Sequence, residues 1–467
     1  GGEKSNTFLS IGYFNQEGVL KHTNFDKYNL RVNSDYNITK NLKIGENLLV
    51  AFSNNTSVAT NSLLGSPIYS AYRIPSIAPI YDINGDFTGY PINDIENPLG
   101  RLDRNKDNND KNVRIFGNVY GEIKLLEDFT FKSNVGVTFN QLNGTTFNPT
   151  FTEPNVFRVA ANLTKVSQEL SEIVFSNTLN YSKEIGEKHN INVLLGVEAI
   201  ESKLEISSAF REGFPGNDSN FQVLNAGGAG TQQNTGNKVE STLMSYFGKV
   251  NYGFDDKYLV SLTARRDGTS KLLNNKWGTF YAASLGWKIS NEEFFKNIES
   301  VSNLKLRFGV GQNGNQDIPP YVTAGGFFSN PFNSNYSIDG SQNSAFSGYI
   351  LSRNSNPDLE WETTEQYNFG LDLGFINNRI TLSLDYFNKK TKDLLLERNL
   401  TPSSGGTNST IWDNVGAMEN KGLEISANYN SNNQKDFKYN IGLNASIIRN
   451  ELTSLKDGVD FVGIDAV

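Results

Sequence analysis

The chain has 467 residues, 37% of them hydrophobic, a formal net charge of −8, 31 Phe, 20 Tyr and no Cys. No apolar run approaches the roughly 20 residues of a membrane-spanning helix, so a helical membrane protein is excluded; a transmembrane β-barrel, whose polar lumen and loops dilute the mean hydropathy, is not. The lack of cysteine excludes a disulfide scaffold and a thiolate metal site, and the acidic balance argues against a nucleic-acid partner.

In chain order, Thr7–Phe14 and Phe25–Ile38 read as the first strands, with Tyr28, Leu30, Val32 and Tyr36 alternating against Asn29, Arg31, Asn33 and Asp35. Thr39–Asn41 turns into Leu42–Phe52, where Glu46 interrupts the apolar face and predicts a bulge or an interface position. Ser53–Lys111 is too long for an ordinary connection. Strands follow at Val113–Leu125 and Phe129–Gln141, at Ser167–Ser182 and Asn190–Leu204, and at Val239–Phe254 and Tyr258–Arg265, each pair joined tightly. Lys276–Ile289 leads through NEEFFKNIES, a helical turn or two, into Leu304–Val310, and the chain ends on Leu423–Tyr429 and Tyr439–Ile447.

The clearest stretch is Tyr367–Phe387, YNFGLDLGFINNRITLSLDYF. Counted outward from Asn377-Asn378, Phe375 faces Ile380, Leu373 faces Leu382, Leu371 faces Leu384 and Phe369 faces Tyr386, while Gly374, Asp372 and Gly370 face Thr381, Ser383 and Asp385. One face is apolar and the other small or polar, and the two asparagines suit the positive φ of a type I′ turn. Short and long connections alternate along about fifteen strands, with the long ones at Ser53–Lys111, Glu205–Lys238, Gly311–Trp361 and Leu394–Asn420. The fold class is therefore all-β, an antiparallel transmembrane β-barrel with long extracellular loops and short periplasmic turns. A passive porin or adhesin barrel and a soluble β-rich glycan-binding protein are the alternatives.

No catalytic residue, cofactor or metal is expected. Gly309, Gly311 and Gly314 have dinucleotide-fingerprint spacing, but the prolines after them forbid the required helix. His22 and His189 stand singly near turns, and Asp103, Asp107 and Asp110 lack the spacing of an EF-hand loop, so a solvated acidic loop is preferred there to a calcium site. Asp372, Asp385 and Glu424 read as lining a wet lumen rather than as a glycosidase pair. Trp277, Tyr281 and Trp287 share one strand face and suit a membrane-interface girdle. Loop aromatics among Asn, Ser and Gly suit sugar rings or peptides: Tyr69, Tyr72, Phe327, Phe328 and Tyr336 are the ligand-stacking candidates, with Arg265 placed to meet carboxylates or sugar hydroxyls.

Arg265–Phe295 (RRDGTSKLLNNKWGTFYAASLGWKISNEEFF), Leu304–Tyr321 (LKLRFGVGQNGNQDIPPY), Asn356–Phe375 and Asn414–Ile425 resemble the SusC/RagA branch of TonB-dependent outer-membrane transporters, and Tyr13–Leu48 is similar to that family's segment just after the plug. The resemblance implies a place in the cell outer membrane, in contact with lipid, and a 22-stranded barrel filled by an N-terminal plug. It also implies a SusD-like surface lipoprotein as partner and import of oligosaccharides or peptides driven by the TonB complex. No plug or TonB box is legible in residues 1–467. The chain is accordingly expected to be a barrel portion, with the plug before Gly1 and the closing strands after Val467.

Overall fold

The computed structural model describes residues 2, 4–58, 66–92, 94–295, 297–298, 300–329, 334–341, 345–401, 403, 410–431 and 437–456. Its framework is a fifteen-stranded sheet. The strands are β1 (Ser5–Glu17), β2 (Asn24–Asn37), β3 (Leu42–Thr56), β4 (Asn109–Leu125), β5 (Phe129–Asn148), β6 (Asn162–Ile185), β7 (His189–Glu212) and β8 (Gln233–Phe254). They continue as β9 (Tyr258–Thr269), β10 (Trp277–Lys288), β11 (Val301–Asn315), β12 (Glu362–Phe375), β13 (Ile380–Lys392), β14 (Gly416–Asn430) and β15 (Asn440–Leu455). Each strand neighbours the next in sequence, and among the described residues β1 pairs only with β2 and β15 only with β14, so the sheet is open. The chain divides into two compact units. The first comprises Gly1–Glu122, Asn134–Phe175 and Glu201–Glu240; the second comprises Ile123–Ser133, Ser176–Ile200 and Ser241–Val467.

The β12–β13 hairpin has the register read from its sequence, from Phe375↔Ile380 through Leu371↔Leu384 to Phe369↔Tyr386. Asn377 and Asn378 take φ of 55° and 59°, and Arg379 N–H donates to the Ile376 carbonyl, closing a two-residue turn. Asp255 and Asp256, with φ of 53° and 49°, begin the three-residue connection Asp255–Lys257 between β8 and β9, where Lys257 N–H donates to the Phe254 carbonyl. The aspartates and asparagines tolerate this left-handed backbone because their short side chains bond locally.

The apolar face of these strands is solvent-exposed in the isolated chain. Leu262, Leu285, Phe369, Leu443 and Ile447 are all open. Aromatic rings bound it at both ends of β10. Trp287 stacks on Tyr258, and both donate hydrogen bonds to Glu292, at 2.9 and 2.7 Å; Trp277 stacks on Tyr246 beneath the Arg266 guanidinium. The two tryptophans are ten positions apart, about 33 Å along the strand and about 25 Å in height at a tilt of about 40°, which is the depth of an outer-membrane apolar band.

Two expectations change. Glu46 makes no bulge against β2, because the register runs unbroken from Asn37↔Lys43 to Asn24↔Thr56; it pairs with Ser34, four residues in from the Leu42 end of its strand. Several strands also run on into stretches read as loop. β11 continues through Gly311–Asn315, pairing with β12 as far as Asn315↔Glu362, and β7 and β8 extend to Glu212 and back to Gln233. Beyond the band no lipid imposes an apolar face, so backbone pairing persists after apolar alternation has ended. Within NEEFFKNIES one turn forms, a 3₁₀ helix at Glu293–Phe295, and a second at Ile289–Asn291 ends at its first residue.

Candidate functional site

In the second unit the polar face of the sheet is organised by Arg307. Its register partners on both sides are glycines, Gly286 on β10 and Gly370 on β12. A Cβ at Gly370 would lie 2.4 Å from the guanidinium carbon, so the glycine lets Arg307 lie across the strand. Nε and Nη2 donate to Asp372 at 2.8 and 2.9 Å, Nη1 and Nη2 donate to Asp385 at 2.9 and 3.0 Å, and Ser383 adds a 2.8 Å bond to Asp372. The two carboxylates thus share the donors of one guanidinium fork, leaving the trio one net negative charge.

Arg265 is committed in the same way. It donates to Asp267 at 2.7 Å and to Ser245 at 2.9 Å, reaches Glu198 at 3.4 Å and lies over the Phe247 ring at 5.3 Å. Opposite it in register, Phe280 points into a dry cluster. Ile318, Val322, Leu359 and Trp361 from the long β11–β12 connection pack there with Leu272 and Leu395, Trp361 meeting Phe280 edge-on at 5.6 Å. Leu395–Asn399 and Thr410–Asn414 form a small hairpin fastened to the same cluster. Asp413 carries much of that fastening: Arg398 donates to it at 2.8 Å and Lys456 at 2.9 and 3.0 Å. Burial pushes the Asp413 carboxyl up, but Lys456 and Arg398 outweigh it and hold the group below the usual carboxylate range.

Beyond this cluster lie the aromatic candidates of the same unit. Phe327 and Phe328 form a short strand with Leu351 and Ile350, and Tyr336 pairs with Phe346, ring centroids 6.3 Å apart. Phe327 is 71% exposed and Tyr336 55%, while Phe328 is half-buried.

The first unit holds Tyr69 and Tyr72 on α1 (Pro67–Arg73), a helix capped by Ser66 with Pro at its start. Tyr72 is 88% exposed; Tyr69 is half-buried beneath the Arg73 guanidinium, 5.3 Å from its ring. Behind them α2 (Pro98–Arg104) anchors the connection. Its cap Asn97 accepts from Leu99 and Gly100 N–H and donates to the carbonyls of Ile80 and Thr88. Arg104 bridges Glu96 at 2.6 Å and Glu153 at 2.8 Å, with Glu153 1% exposed. The long connection is therefore folded rather than slack. Asp103 pairs with Lys106 at 3.2 Å and His22 at 3.7 Å, His189 bonds Tyr252, and among the described residues no cluster of His, Cys, Asp or Glu is set to hold a metal.

The sequence placed all six candidates but did not single out Arg307, Glu153 or Asp413. The one available signal was Asp372 and Asp385 on the hairpin's polar face, which call for a counter-charge on the neighbouring strand.

A family model described as "TonB dependent receptor-like, beta-barrel" matches residues 46–465. The chain belongs to that family. Within it, the chain is 32% identical to TonB-dependent receptor P3 of Formosa agariphila over 98% of this chain and 45% of that protein, and 30% identical to TonB-dependent receptor SusC of Bacteroides thetaiotaomicron over 97% and 46%. A solved structure of the RagAB peptide transporter superposes with a TM-score of 0.86 at 26% identity, covering 98% of this chain and 51% of that one. A siderophore receptor, PirA of Acinetobacter baumannii, shares the fold at a TM-score of 0.54 and 15% identity. The chain spans about half the length of the curated relatives it matches. It is β-barrel sequence of a SusC/RagA-type TonB-dependent receptor of the outer membrane, and the exposed apolar face is its lipid face.

Proposed function

We propose that this chain supplies barrel wall and outer loops to an importer of oligosaccharides or peptides that works with a SusD-like surface lipoprotein and is driven by the TonB complex through a plug domain. The observation that carries the reading is the likeness to the RagAB peptide transporter over nearly the whole chain; the relative named SusC agrees with it. In this reading the plug and further strands that close the sheet belong to the rest of the protein.

The cargo-facing rings are Tyr72, Phe327 and Tyr336, which are open to solvent among amides and hydroxyls. Tyr69 and Phe328 back them, and Arg265, held by Asp267 and Ser245, shapes the polar face below the loop cluster of its own unit. Flat apolar faces beside hydrogen-bonding groups suit both sugar rings and peptide side chains.

The test uses the complete transporter with its lipoprotein, in cells with and without TonB, and measures binding and uptake of labelled oligosaccharides and peptides. Uptake is expected to require TonB, and Phe327→Ala or Tyr336→Ala to weaken binding by roughly a few-fold to tenfold, on the order of 1 kcal/mol. Accumulation independent of TonB would instead describe a passive pore. Unchanged affinity for every cargo would confine the rings to packing.

A further inference from the structure

On β13, β14 and β15 the lipid face changes character within one step. Tyr386, Leu423 and Ile447 stand side by side across these strands as the last apolar positions toward the loops. The next outward positions are Asn388, Lys421 and Arg449, again side by side, and the next are Lys390, Glu419 and Glu451. Lys392 and Glu365 flank them on β13 and β12. On β9 the same face carries a single cation, Arg266, opposite Thr279 and over the Trp277 ring, against the cluster on β13–β15.

The charges in this collar do not cancel. Lys390, Lys392, Lys421 and Arg449 face three carboxylates, and Glu419 alone serves both Lys421 at 3.0 Å and Lys390 at 3.7 Å. Lys392 reaches Glu365 at 3.6 Å and Arg449 reaches Glu451 at 3.3 Å. The four side chains are part-exposed, from 41% for Lys421 to 72% for Arg449, the latter on the edge strand β15. On the same face an apolar groove of about 860 Å³ starts at Tyr386 and Leu423, in the row beneath Lys421, and runs over Phe369, Leu371 and Leu306 to Trp287.

We infer that this collar and groove form a binding site for a phosphorylated, acylated lipid of the outer leaflet. The lysines and Arg449 take its phosphates and the groove takes its acyl chains. The occupant follows from position and charge. The face is the one turned to lipid, Lys421 and Arg449 stand one step beyond its last apolar row with Lys390 and Lys392 at the next two, and Lys and Arg clustered there are complementary to headgroup phosphate. The inference rests on the loop side of the barrel facing the outer leaflet, as in the function proposed above.

The test takes the complete transporter, delipidated in detergent and transferred into phosphatidylcholine nanodiscs containing either lipid A with both phosphates or enzymatically dephosphorylated lipid A. Lipid retained on the captured protein is quantified by mass spectrometry. The K390Q/K392Q/K421Q/R449Q variant is expected to retain roughly tenfold less phosphorylated lipid A than the unsubstituted protein. The charge-keeping K390R/K392R/K421R/R449K variant should stay near the parent, and dephosphorylated lipid A should bind weakly to all three. Equal retention by the parent and the glutamine variant overturns the inference. So does equal loss in the charge-keeping variant, or indifference to the phosphates. A change in self-association without loss of lipid would assign the collar to a second copy of the chain and also overturn it. Cargo binding measured on the same samples separates failure of the lipid site from failure of the transport reading.

Discussion

The assignment of the lipid face makes Leu371→Arg the most informative substitution. Leu371 is the third of five outward apolar positions on β12, Tyr367 to Phe375, and its register neighbours are Leu306 and Leu384. It lies four residues from either end of that row, about 13 Å along the strand and about 10 Å in height, so an arginine there leaves its guanidinium in hydrocarbon or thins the bilayer around it. The expected cost is about 2–4 kcal/mol. Ser426 on β14 is an exposed polar-face residue paired with Ser383, and an arginine there enters water, at a cost within about 0.5 kcal/mol. A gap of about 2 kcal/mol is a roughly thirtyfold difference in the ratio of folded to unfolded protein. Urea unfolding of the complete transporter in lipid vesicles, followed by tryptophan fluorescence and heat-modifiable gel mobility, reads that gap. Equal penalties for the two arginines would refute the assignment of faces.

Three further outcomes follow from the clusters. Arg307→Met leaves Asp372 and Asp385 facing each other without their cation and should cost about 1–2 kcal/mol, below the value for a fully buried pair because each group is a fifth to a third exposed; adding D372N and D385N should recover part of the loss in thermal melts. The pKa of Asp413 is depressed in the folded state, so the stability it lends is fully present above the unfolded carboxylate value of about 3.9 and is lost as pH falls through the lower folded value. Hydrogen-exchange protection in Leu395–Asn399 and Thr410–Asn414, taken relative to the intrinsic rate at each pH, should therefore hold steady from neutrality down to about pH 4 and fall below it, with Asp413→Asn abolishing the acid step. Phe280→Ala empties the centre of the dry cluster at a cost of about 3–5 kcal/mol, and should expose the β11–β12 connection to limited proteolysis while the sheet survives.

The framework was legible because the bilayer imposes a period of two on every strand that crosses it. The hairpin around Asn377 could be registered residue by residue since Leu371 and Leu384 had to share a face and Asp372 and Ser383 the other. That signal ends where the bilayer ends. Gly311–Asn315 and the flanks of β7 and β8 are strands beyond the apolar alternation, and their sequences read as loop. The ligand candidates were legible as residue types in long connections. Their settings were not, because Glu153 with Arg104, and Asp413 with Lys456, meet across 49 and 43 positions of chain. No local spacing encodes such partners. Arg307 was hidden by the same distance, although the glycines on either side of it are the trace left in the sequence by a side chain that lies flat across its neighbours.

The dry cluster beneath the β11–β12 connection bears on how fast and how tightly a ligand is captured. Phe280, Leu359 and Trp361 fix the root of the connection that carries Phe327 and Tyr336, so those rings are presented from a stiff mount. In the proposed importer, a ligand taken by these rings would meet a connection already packed at its root, and more of each contact would be retained as affinity. Capture then resembles docking onto a shelf that already exists. The rate of any later movement is set by what the shelf is attached to rather than by the loop finding its shape.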